Sequence, residues 1–201
     1  MRTSTNTDRA LRAQRGLTTI ELLVTLVILG VLLGVAAPSM ARFVADWRAS
    51  NAVNAFTGSL RMARTEAIAR SRPVVMCRVA NDTSTACLST VGTNGFASGW
   101  IVFANNDGDA NFNYSAGNGD ELLLRQTAPA GIADITPTRA GRFVFLPNGL
   151  LNSNNNAVNI DAKGFDTTTT TPWARKALCI SKPGRIRHVA DNADCDSSES
   201  N

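Results

Sequence analysis

The sequence predicts an α+β protein in which one long N-terminal helix packs on an antiparallel β-sheet head. Three observations carry this expectation. An apolar run fills residues 17–37, a helical stripe continues to about residue 72, and the rest breaks into short apolar segments separated by Gly, Pro, Asn and Asp. With 201 residues there is room for one modest domain beyond such a helix.

Between Leu17 and Ala37 the only polar side chains are Thr18, Thr19, Glu21 and Thr25. As a helix this stretch spans about 31 Å, close to the bilayer core. Arg2, Arg9, Arg12 and Arg15 precede it and place its N-terminal side in the cytoplasm, with the head across the membrane. Of 20 basic and 16 acidic side chains, 16 and 15 follow Gly16, so the chain beyond Gly16 is nearly neutral and attraction to a polyanion requires a local cluster. A secretory signal would be cut after its apolar stretch, where Val35-Ala36-Ala37 is a weak site. Glu21 is the informative residue: a carboxylate in such a run costs about 3 kcal/mol near a helix centre, less at its edge, and calls for a partner or for snorkelling. Gly30 and Gly34 form a G-x-x-x-G pair, for which tolerance of small residues is the simpler account.

Arg15-Gly16-Leu17-Thr18-Thr19-Ile20-Glu21, followed at once by the apolar helix, resembles the prepilin peptidase site of type IV pilins and type II secretion pseudopilins. The resemblance implies a leader of residues 1–16, cleavage between Gly16 and Leu17 by a prepilin peptidase, and N-methylation of Leu17. It also implies that Glu21 pairs with a neighbouring subunit's terminal amine during assembly at an inner-membrane platform. Leu17 stands in place of the usual Phe, and Thr19 in place of the usual Leu.

After this membrane half, residues 38–72 read as the amphipathic half of the same helix. Phe43, Trp47, Phe56, Leu60, Ala63 and Ala67 draw one stripe, with Arg42, Arg48, Arg61 and Arg64 largely off it on a basic face that could touch a polyanion, a solvated or subunit-contacting face being the favoured reading. Pro73 ends the helix near Ser71 or Arg72. In the head, residues 73–201, seven strands are expected: Val74 to Val79, Trp100 to Phe103, Glu121 to Arg125, Arg142 to Leu146, Ala157 to Ile160, Ala177 to Ser181 and Ile186 to Val189. The runs Asn152 to Asn156 and Thr167 to Thr171 read as exposed polar loops.

Cys77, Cys87, Cys179 and Cys195 allow three pairings, of which Cys77 with Cys87 and Cys179 with Cys195 close short loops and are preferred. C-x-x-C spacing is absent and His188 is the only histidine, which argues against structural zinc and for disulfides in an oxidising compartment. Asp107, Asp109, Asn111 and Asn113 alternate as calcium ligands do. Phe112, however, stands where the EF-hand turn needs glycine and Asn118 where it needs glutamate, so a polar hairpin loop is favoured and neither metal nor cofactor is expected. No nucleophile elbow, Walker or dinucleotide pattern is present, and no enzymatic activity is expected.

Phe96-Ala97-Ser98-Gly99-Trp100-Ile101-Val102-Phe103, Asn106-Asp107-Gly108-Asp109, Leu123-Leu124-Arg125, Phe145-Leu146-Pro147-Asn148-Gly149 and Leu178-Cys179-Ile180-Ser181 together resemble the FimT/FimU minor pilins and their GspH pseudopilin relatives. The resemblance implies the type IV pilin fold and other pilins, major and minor, as partners. It also implies passage from the inner membrane to an extracellular pilus, at or near its tip.

In Lys182-Pro183-Gly184-Arg185-Ile186-Arg187-His188, Pro183-Gly184 suits the centre of a type II turn. Arg185 and Arg187 then share a strand face about 6.6 Å apart, with Ile186 turned to the core and Arg175, Lys176 and Lys182 near enough to enlarge the patch. Such guanidinium groups bind phosphate oxygens; equally, they pair with Asp191, Asp194 or Asp196, or touch another pilin. Gly-Arg-x-Arg after the Leu-Cys-Ile-Ser strand is similar to the DNA-binding motif of FimT-type minor pilins. That likeness implies sequence-independent contact of Arg185 and Arg187 with DNA phosphates, supported by Lys182, in DNA uptake for natural transformation. The alternative is a purely structural priming pilin or a secretion pseudopilin.

Overall fold

Two end signals bound helix α1, Thr19–Arg70, in the computed structural model, which describes residues 16–139, 141–153, 156–163, 175–189 and 195. The leader through Arg15, the Thr167 to Thr171 run and the acidic residues Asp191, Asp194 and Asp196 lie outside the described residues. At the start, Thr18 Oγ1 accepts the Glu21 N–H at 3.3 Å, the N-cap half of a Thr-x-x-Glu capping box. At the end, Ser71 turns to a φ of 52° two residues before Pro73, whose ring disfavours further helix.

The chain forms two compact units, residues 1–41 and 42–201. In the first, every large apolar side chain from Leu17 to Val35 is exposed, and the helix is long and apolar enough to cross a membrane by length and composition. In the second, Ala49, Ala52, Val53, Phe56, Leu60, Ala63 and Ala67 are buried. The buried stripe thus runs through small residues before Phe56. Phe43 and Trp47, expected on it, are 67% and 59% exposed.

Eight strands follow: β1 Val74–Arg78, β2 Trp100–Ala104, β3 Glu121–Gln126, β4 Ile132–Pro137, β5 Arg142–Phe145, β6 Asn156–Ala162, β7 Arg175–Ile180 and β8 Ile186–Val189. They form two four-stranded antiparallel sheets, ordered β3-β2-β1-β5 and β4-β6-β7-β8, where the sequence led us to expect one sheet. The unanticipated strand is β4, whose Ile-Ala-Asp-Ile-Thr-Pro sequence carries two residues that are poor strand formers. It tolerates Pro137 because it lies at a sheet edge, where a missing N–H breaks no central ladder.

One core joins α1 to both sheets. Phe56 packs edge-on against Phe96, Trp100 and Phe143 at 5.4–5.8 Å, and the cluster extends through Ile135, Ile160, Leu178 and Ile180 of the second sheet. Buried Trp100 donates its indole N–H to Ser59 Oγ at 2.9 Å, so the one polar atom of the ring is satisfied inside the core. A second cluster, including Val75, Cys77, Ile101 and Phe103, covers the other face of the first sheet, with Phe112 and Tyr114 packed on it. Cys77 is bonded to Cys87 and Cys179 to Cys195, with Cα atoms 5.6 and 5.5 Å apart.

Candidate functional site

Gly16, Leu17 and Thr18 precede the first helical turn. Nothing lies within 4 Å of a side chain built at Gly16, and Leu17 is exposed. Glu21 lies in the first turn of α1, where a carboxylate also complements the helix dipole.

The second candidate region is the hairpin joining β7 to β8. Gly184 N–H donates to Ser181 O at 2.7 Å and Ser181 N–H to Arg185 O at 2.9 Å. Lys182, Pro183 and Gly184 therefore make a three-residue loop with Gly184 at φ 76°, one residue out of step with the expected type II turn centred on Pro183-Gly184. The strands pair Ile180 with Ile186 and Cys179 with Arg187. Ile186 packs against the core, whereas Arg187 shares the opposite face with Cys179, because directly paired residues point the same way. Arg185, opposite Ser181, falls on that face with Arg187 by the strand alternation. Lys182 and Arg185 are exposed and Arg187 is half-buried.

Two neighbouring cations do not join them. Arg175 Nε donates to Asp161 Oδ1 at 2.5 Å, and Lys176 Nζ pairs with Asp46 of α1 at 2.5 Å. Lys176 and His188 face the helix, lining a small cavity with Ser50, Val53 and Asn54. The expectation that Arg175 and Lys176 enlarge the patch is thus corrected by ion pairs that engage both.

A cation the hairpin motif did not reveal comes instead from the helix. A side chain built at Gly184 would fall 3.0 Å from Arg64 Cδ and 3.2 Å from its Nε, and one at Gly149 would fall 3.4 Å from the same Nε. The Pro147-Asn148-Gly149 and Lys182-Pro183-Gly184 turns are tied by the Leu151 N–H to Lys182 O bond at 2.8 Å; the second closes on Arg64, and the first on Ile68 with Arg64 beside it. The available signal was the pair of glycines, which mark close backbone approach in two distant turns.

The acidic loop behaves differently. Asp120, 6% exposed, accepts N–H groups of Asn106 at 2.8 Å, Asp107 at 3.4 Å and Ser115 at 2.9 Å. Asp109 accepts those of Asn111 and Asn113, and these backbone bonds hold its carboxyl below the usual range. Phe112 itself takes a left-handed φ of 52°, in the slot where an EF-hand turn would need glycine. Its ring packs on the outer cluster. Among the described residues no group of three or more His, Cys, Asp or Glu is placed to hold a metal.

A family model described as type II transport protein GspH matches residues 52–184, and a prokaryotic N-terminal methylation motif matches residues 11–37. Two crystal forms of the type IV minor pilin FimU of Pseudomonas aeruginosa are similar, each with 17% identity and a TM-score of 0.47. They cover 73% of this chain and 93% and 98% of theirs. The minor pseudopilin EpsH from the Type 2 Secretion System of Vibrio cholerae is similar at 13% identity and a TM-score of 0.45, covering 73% of this chain and 99% of that one. No curated protein matches.

Proposed function

The chain belongs to the family described as type II transport protein GspH, and from that premise we propose that it is a minor pilin whose C-terminal hairpin binds DNA. It is made as a prepilin, held in the inner membrane with its head in the periplasm, and cut between Gly16 and Leu17 by a prepilin peptidase. After N-methylation of Leu17 it enters a type IV pilus at or near the tip through an assembly platform, with Glu21 pairing to a neighbouring subunit's terminal amine. The methylation motif over residues 11–37 and the exposure of Leu17 support this processing. N-terminal mass spectrometry of the assembled protein should find N-methyl-Leu17; a chain that still begins before Gly16 would overturn the assignment.

The observation that carries DNA binding is the register of β8, which puts Arg185 and Arg187 on one face beside an exposed Lys182. Guanidinium groups so arranged suit phosphate oxygens, and contacts confined to phosphates are sequence-independent, which fits DNA uptake in natural transformation. The full chain in nonionic detergent should retard duplex DNA, with affinity falling steeply as salt rises. Arg185→Ala combined with Arg187→Ala should abolish retardation, and undiminished binding by that pair would remove the hairpin as the site. The family description itself favours a second reading, a pseudopilin of type II secretion that makes only subunit contacts. A wild-type chain that does not retard DNA at low salt would overturn the DNA reading and leave a structural priming pilin or a secretion pseudopilin.

A further inference from the structure

Arg64 sits on α1 between Leu60 and Ala67, both fully buried, and is itself half-buried. Its side chain lies against two turns that both use glycine at φ 76°. At Gly184 an added methyl would crowd its Cδ, Nε and Cζ within 3.0–3.4 Å. The guanidinium is therefore held by packing against bare backbone. Its Nε is buried without a hydrogen-bond partner, while neither terminal nitrogen is among the buried unpaired atoms. Among the described residues no carboxylate neutralises Arg64, in contrast to Arg70, Arg175 and Lys176, each of which meets an acid at 2.5–2.6 Å.

Arg64 approaches the hairpin tip from the helix side, and Arg185 and Arg187 lie on the other face. We propose that Arg64 is a third phosphate-contacting residue, and that a phosphodiester chain crosses the hairpin at its tip, over Gly184, with cations on both flanks. This inference rests on the DNA-binding reading above and deepens it by assigning the path of the strand. A cation already fixed in place loses little rotamer freedom when an anion arrives. Gly184, having no side chain, leaves that space to Arg64 and so brings the guanidinium up to the hairpin tip. Gly149 makes room chiefly for Ile68, at 2.8 and 3.3 Å from a side chain built there, with Arg64 Nε beside it at 3.4 Å.

The test uses the full chain in nonionic detergent, a fluorescently labelled DNA duplex, and anisotropy titrations over a range of salt. Arg64→Gln should weaken binding about five- to tenfold at 0.1 M salt and lower the slope of log affinity against log salt by about one, as loss of one phosphate contact does. Arg64→Lys, which keeps the charge and loses the planar fork, should restore the slope. A merely structural role would not move the slope or respond to lysine. Circular dichroism melts should show both variants folded, since Arg64 makes no hydrogen bond or ion pair among the described residues. An unchanged slope in Arg64→Gln, with binding still abolished by the Arg185 and Arg187 double substitution, overturns the Arg64 assignment and leaves the hairpin site standing. If wild type binds no DNA, the DNA reading fails first. Pyrophosphate then judges Arg64 separately: raising the melting temperature of wild type and not of Arg64→Gln supports an anion site there, and no rise in wild type overturns it.

Discussion

The acidic loop at residues 105–120 and the basic hairpin at residues 181–187 are both charged turns at strand ends, yet they use their charge in opposite ways. In the loop, the Asp120 and Asp109 carboxylates are spent on the loop's own N–H groups. The folded loop in turn lays Phe112 and Tyr114 over the outer face of the first sheet. In the hairpin, backbone pairs with backbone: Gly184 with Ser181, Ser181 with Arg185 and Leu151 with Lys182. The Arg185 side chain is left out of that bookkeeping and exposed. Charge that completes a backbone is structural, and charge on a backbone already complete is available to a partner.

Substitutions can break that contrast. The largest effect is expected from Asp120→Ala, which strands the N–H groups of half-buried Asn106 and Ser115 and should cost about 2–4 kcal/mol in denaturant unfolding. DNA binding measured well below the melting temperature should be unchanged. If it falls with stability intact, the loop is part of the interface and the contrast fails. Gly184→Ala should cost about 1–2 kcal/mol for a left-handed alanine and weaken DNA binding as it displaces Arg64. Arg185→Ala should change stability by less than about 0.5 kcal/mol while lowering DNA affinity, so that stability and binding separate cleanly at this residue.

Much of this was legible in the sequence, for physical reasons that differ by element. The helix and strands β1, β2, β3, β5, β6, β7 and β8 follow from local periodicity and from turn residues, which neighbouring residues alone determine. Strand β4 was not legible, because Asp134 and Pro137 oppose a strand locally and only pairing with β6 outweighs them. With β4 missed, the division into two sheets was missed as well. Thr18 and Glu21 spelled a capping box in plain sequence, but the helix was read for its apolar content and its start went unread. The packing of Arg64 against Gly184 and Gly149 is a contact between segments far apart in the chain, and no spacing rule reaches that far.

The smallest expected effect bears on a third case, charge that the fold tolerates without using. Asp134 on β4 lies across from Asp161, which Arg175 already engages. Burial, with the like charge of Asp161 adding and Arg175 opposing, raises the Asp134 pKa. Glu121 is the mirror case, its pKa lowered by the hydrogen bonds and charge of Arg70. A carboxyl raised in the folded state favours folding while protonated, and that contribution is lost as pH climbs from the unfolded value, about 3.9, through the folded one. A carboxyl lowered in the folded state contributes above its unfolded value, and this is lost as pH falls through the folded one. Asp134→Asn should therefore raise the melting temperature at pH 7, on the order of 1 °C, and the gain should vanish near pH 3. Glu121→Gln should lower the melting temperature at pH 7, with its deficit also vanishing in acid. Both exchanges are readable by thermal melts at the two pH values. If Asp134→Asn instead destabilises at pH 7, Arg175 is bridging both aspartates, and Asp134 belongs with the carboxylates that the fold spends.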